Sequence, residues 1–91
     1  MVQSKSILKV SIRQIKAARA LLGWSQDDLA RAAELSVPTI KRLEASDGLL
    51  GGRDQTVQKI VTAVVSAGVD FLSENGSGQG VRLRKPSRPT N

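Results

Sequence analysis

Ser25-Gln26-Asp27-Asp28-Leu29-Ala30-Arg31-Ala32-Ala33-Glu34-Leu35-Ser36-Val37-Pro38-Thr39-Ile40-Lys41-Arg42-Leu43-Glu44-Ala45 holds two helix starts and almost nothing between them. Ser25 reads as an N-cap, and Asp27 and Asp28 follow where the positive end of a helix dipole favours carboxylates. Ser36 is another N-cap, and Pro38 falls in the next first turn, where a missing amide proton costs nothing. The pattern predicts helices over 25–34 and 36–45, broken only at Glu34–Leu35. Two short helices cannot lie side by side across so brief a turn, so they must cross steeply. Ala30 and Ala33 supply the small residues such a crossing needs, and Ile40 and Leu43 turn inward at helical spacing. Val37, Pro38, Thr39, Lys41 and Arg42 are left pointing outward.

Upstream, Ser11 reads as the N-cap of an earlier helix whose apolar stripe is Ile12, Ile15, Ala18 and Leu22. Gly23 closes it as the left-handed residue. Trp24 reads as a packing anchor between this helix and the next. Downstream, residues 46–52 are glycine-rich loop chemistry. From Asp54, the residues Val57, Ile60, Val61, Val64 and Val65 trace a longer helix ending near Gly68. The period then changes to alternation. Val69 and Phe71 share one side, a turn follows over 74–80, and Val81 and Leu83 match them, with Arg82 and Arg84 on the opposite face. The expected fold is mainly α, four helices followed by a short C-terminal β-hairpin. Its expected divisions are an N-terminal arm at 1–10, either mobile or packed on the rest, a helical domain at 11–68, the hairpin at 69–85 and a disordered tail at 86–91.

The chain has 91 residues, enough for one small core. It lacks cysteine and histidine, which excludes disulfides and zinc–thiolate sites and removes the commonest general base. No metal site and no cofactor are expected, and no set of residues brings together a base, a nucleophile and an orienting group, so an enzyme is not expected. No apolar stretch is long enough to span a bilayer and no signal-peptide pattern opens the chain, which points to a cytoplasmic protein. The net charge is +6, with Lys5, Lys9, Arg13, Lys16 and Arg19 before Ser25 and Arg82, Arg84, Lys85 and Arg88 at the end. Both segments lack acids, so a polyanionic partner is indicated. Trp24 and Phe71 are the only aromatic rings. The stacking platform of single-strand binders is therefore missing, which favours double-stranded DNA.

A steep pair of short helices, the second with a free outer flank, is the geometry of a helix-turn-helix, whose second helix enters the major groove. The stretches Leu21-Leu22-Gly23-Trp24-Ser25-Gln26-Asp27-Asp28-Leu29-Ala30 and Leu35-Ser36-Val37-Pro38-Thr39-Ile40-Lys41-Arg42-Leu43-Glu44 resemble the XRE/Cro, lambda repressor-like family of helix-turn-helix regulators. The likeness covers roughly residues 11–67. It implies a core of four or five helices and a homodimer on operator DNA. Transferred residue by residue, it implies base reading at Val37, Pro38 and Arg42, with Lys41 beside them. It further implies phosphate contact at Gln26 and Arg53, and an ion pair between Arg19 and Glu44. Ser36 and Thr39 carry hydroxyls suited to phosphate, although Ser36 serves equally as a cap. Glu34 departs from the family by standing where glycine is usual. The ending Glu-Asn-Gly-(x)-Gly-(x)-Gly-Val-Arg-Leu-Arg-Lys resembles that of a smaller group of single-domain members.

A lone hairpin is marginal in water, so the apolar face of Val69, Phe71, Val81 and Leu83 needs cover. A second copy of the chain would provide it and make these four the dimer interface; packing on the chain's own helices is the alternative. The expected function is a sequence-specific double-stranded DNA-binding regulator, a repressor or autoregulator, bound as a homodimer to an imperfect palindrome. The alternative is a protein-interaction module with a protein partner, such as the antitoxin of a toxin–antitoxin pair, with DNA binding secondary.

Overall fold

The structure is a computed structural model that describes residues 9–51, 54–73 and 76–84. Four helices, α1 (Ile12–Leu22), α2 (Gln26–Ala33), α3 (Val37–Glu44) and α4 (Asp54–Ser66), precede the strands β1 (Val69–Leu72) and β2 (Gly80–Leu83). Residues up to Leu8, Arg53 and the tail 86–91 lie outside the described residues.

Each of the first three helices starts on a serine whose hydroxyl accepts an N–H that the helix itself leaves unpaired. Ser11 takes the Gln14 amide at 3.0 Å while Gln14 Oε1 takes the Ser11 amide at 2.9 Å, a reciprocal capping box. Ser25 and Asp28 repeat it on α2. Gly23 ends α1 at φ 70°. Glu34 ends α2 in the same left-handed conformation, φ 58° and ψ 45°, which for a side-chain-bearing residue costs about 1–3 kcal/mol. That turn is held by the Leu35 N–H donating to the Ala30 carbonyl at 2.9 Å, so α3 can begin at once and cross α2.

The core runs through all the helices. Ile12, Ile15, Leu29, Ile40, Ile60, Val64 and Val69 are its largest fully enclosed side chains. Two expectations are corrected by it. Val10, assigned to an N-terminal arm, is 3% exposed. Its carbonyl accepts the Leu50 N–H at 2.7 Å, and the Ile12 N–H reaches the Gly48 carbonyl at 2.8 Å. The loop after α3 thus folds back against the start of α1 and inserts Leu50, so any arm ends before Val10.

The second correction concerns the hairpin. Its strands pair antiparallel, Val69 with Leu83 and Phe71 with Val81, and Gly68 at φ 113° turns the chain so that the sheet lies on α1 and α4. Val69, expected at a dimer interface, is 0% exposed inside its own chain, and Phe71 and Val81 are half-buried against the same core. Only Leu83, 48% exposed, keeps substantial free surface. The apolar face found its cover at home. Gln14 fastens it: its Nε2 donates to the Leu72 carbonyl at 3.2 Å and the Gly80 carbonyl at 2.9 Å. At the other end Asp70 accepts from Arg82 and Arg84, and Arg84 Nη2 also donates to the Val65 carbonyl at 2.8 Å, near the C-terminus of α4.

A chain ending after Gly68 therefore loses the burial of Val69, worth about 1.5–3 kcal/mol, and both acceptors of Gln14, worth about 1 kcal/mol each. Urea denaturation should record a loss of roughly 4 kcal/mol; a truncate as stable as the full chain would show the hairpin to be a mere appendage.

Candidate nucleic-acid interface

The orientation of α3 is set from its inner side. Ile40 is enclosed by the core and Leu43 packs against it. Glu44, the last residue of α3, is 4% exposed by its side chain and holds one carboxylate against two other helices. Arg19 of α1 grips it bidentately, Nε to Oε2 at 2.9 Å and Nη2 to Oε1 at 2.8 Å. Gln26, the first residue of α2, donates to Oε1 at 3.0 Å. Arg19 also reaches the Trp24 carbonyl at 3.0 Å, and Trp24 packs on the core at the α1–α2 junction. An unpaired charge so enclosed would be costly. Paired in this way it fixes where the end of α3 sits relative to α1 and to the N-terminus of α2.

With that side committed, the outer flank follows. Pro38, Lys41 and Arg42 are exposed, and neither Lys41 nor Arg42 forms an ion pair with any side chain among the described residues. Val37 is half-buried and packs partly on the core, so it presents less surface than its neighbours. The Ser36 hydroxyl caps α3 through the Thr39 N–H at 3.2 Å and meets the Thr39 hydroxyl at 2.8 Å. The two hydroxyls are thereby oriented together at the start of α3. Gln26 stands at the start of α2 with its amide anchored on Glu44. Arg53 is outside the described residues. Spacing and resemblance had pointed to these positions, but neither had singled out Gln14, although Ser11-x-x-Gln14 is a capping-box pattern.

Residues 15–52 match the family described as Helix-turn-helix. This segment is a helix-turn-helix of the XRE/Cro, lambda repressor-like family. The match covers α2, α3, the turn between them and most of α1, and it supports a DNA-binding regulator at the level of that family. A comparison with curated proteins gives no match. Among the described residues no helix is long and apolar enough to cross a membrane.

Three carboxylates, two in the helix-turn-helix and one in the hairpin, should tie the stability of the fold to pH. Burial would push the Glu44 carboxyl up, but the hydrogen bonds from Arg19 and Gln26 and the nearby Arg19 and Lys16 charges outweigh it and hold it below its ordinary value of 4.5. Ser25 lowers Asp28 through its backbone and hydroxyl, and Arg84 followed by Arg82 lowers Asp70. A carboxylate held down in the folded state contributes stability that is complete above its unfolded value and lost as pH falls through the folded one. Glu44→Gln should cost about 3 kcal/mol at neutral pH, since it leaves Arg19 without its counter-charge. In acid titrations followed by circular dichroism, the gap between the variant and the parent should narrow as pH falls below 4.5. A pH-independent gap would remove the charge from the explanation.

Proposed function

We propose that this chain is a sequence-specific, double-stranded DNA-binding transcriptional regulator of the cytoplasm, acting as a repressor or autoregulator, with α3 lying in the major groove. The observation that carries the reading is the outer flank of α3, where Lys41 and Arg42 stand exposed and unpaired among the described residues while the inner flank is clamped through Glu44. Arg42 is the principal base reader, its guanidinium able to bond bidentately to guanine O6 and N7. Lys41 assists, Pro38 offers apolar contact suited to a thymine methyl, and Val37 adds the part of its surface that the core leaves free. Gln26, Ser36, Thr39 and Arg53 serve phosphates, alongside the free amides at the starts of α2 and α3.

The chain acts as a homodimer, which sets two such helices about 34 Å apart on an imperfect palindrome. Because Val69, Phe71 and Val81 are engaged within the chain, the dimer contact draws on what remains apolar and exposed near the end of α4, Val65 and Leu83.

Selection from random duplex DNA, followed by titration of the selected site in increasing salt, tests the whole reading. A palindrome should emerge, and log K should fall against log salt by about 0.9 for each phosphate contacted. Arg42→Ala should lower discrimination between the selected and unrelated duplexes by about 1–3 kcal/mol without altering the melting of the protein. An absent consensus, or a flat salt dependence, would refute the proposal.

A further inference from the structure

Arg13 and Lys16 sit one turn apart on the solvent side of α1, and the contacts proposed above leave both without a role. Each is tied to the C-terminal end of α3. Lys16 is near enough to Glu44 for its charge to help keep that carboxylate ionised. Both Glu44 oxygens are already taken by Arg19 and Gln26, and the Lys16 ammonium forms no ion pair among the described residues. Arg13 Nε lies 3.5 Å from Asp47 Oδ1, in the loop that follows α3, and the two side chains are 83% and 74% exposed. A pair so open and so long has little hold on its partners, because water screens it and two flexible side chains must be kept in one arrangement.

We infer that Arg13 and Lys16 form a second phosphate-binding stripe flanking α3, and that Asp47 competes with DNA phosphate for Arg13. The inference rests on α3 reading duplex DNA as proposed. A helix seated in the major groove has a sugar–phosphate backbone along each side. On the side of α3 where Glu44 meets Arg19, the element alongside is α1, whose exposed positions include Arg13 and Lys16. Residues three apart on a helix are neighbours on one face, so the two cations present a continuous patch rather than separate points. The long, exposed link to Asp47 is cheaply exchanged for a phosphate, whose oxygens can take the planar guanidinium bidentately. Asp47, left facing the backbone, sets a lower affinity than the two cations alone would give.

The experiment measures binding of the full chain to its selected duplex and to an unrelated duplex across a salt series. Arg13→Gln and Lys16→Gln should each weaken both complexes alike and reduce the salt slope by about 0.9, so that the deficit at 50 mM salt shrinks about threefold by 200 mM. The charge-preserving Arg13→Lys and Lys16→Arg should keep the parent slope, which separates phosphate contact from damage to the fold. Asp47→Asn should tighten both complexes, and that gain should disappear in the Arg13→Gln background, as coupled partners require. If the parent binds its site with a steep slope while both glutamine variants keep that slope, the stripe is refuted and the role of α3 stands. If the Asp47→Asn gain persists without Arg13, the competition is refuted. If the parent selects no site at all, the reading of α3 falls and takes the stripe with it.

Discussion

A single buried carboxylate governs the geometry of this protein. Glu44 ends α3, and its oxygens accept three hydrogen bonds, two from Arg19 of α1 and one from Gln26 of α2. Helices of eight residues, such as α2 and α3, are unstable by themselves. They take their places from what they bury, and α3 buries little beyond Ile40 and Glu44. An apolar residue at the last position could fill the space, but it would not specify an angle. A bidentate pair has a plane and a direction, and the direction chosen here turns the opposite flank of α3 to solvent.

The second half of the chain supports that arrangement from behind. The loop after α3 returns to the start of α1 through the bonds between Ile12 and Gly48 and between Val10 and Leu50. The hairpin then lies on α1 and α4, with its acid and two arginines on the outward face. Asp70 neutralises part of the charge that Arg82 and Arg84 place there. Arg84 also reaches the Val65 carbonyl, where the negative end of the α4 dipole favours a cation. A two-stranded ribbon too small to persist alone is thus secured at both ends.

Local chemistry made much of this legible in the sequence. Ser11, Ser25 and Ser36 announce helix starts because a short hydroxyl side chain has few better uses before an apolar stripe. Alternation over Val69–Phe71 and Val81–Leu83 is enough to pair those residues in register, because a slip of one would put charges inside. Alternation states which residues share a face, however, and not what lies against it, and that is why the hairpin could be assigned to a second copy. Val10 was equally opaque, since one apolar residue among lysines and serines looks the same in an arm as in a core. The Arg19–Glu44 pair came from resemblance, because nothing in a separation of 25 residues links two charges. The pairing of Arg13 with Asp47 depends on a loop path that no periodicity encodes.

Gln14 has a consequence for how the protein comes into being. Its acceptors lie 58 and 66 residues further along the chain, so a polypeptide growing from its N-terminus builds α1 long before anything exists to receive that amide. Until β1 and β2 have been made, the part of α1 that meets them is uncovered and Gln14 lacks its acceptors. Nascent chains in this condition are clients for chaperones. The grip of Gln14 on the hairpin forms only after both strands have been made, and with it the domain closes.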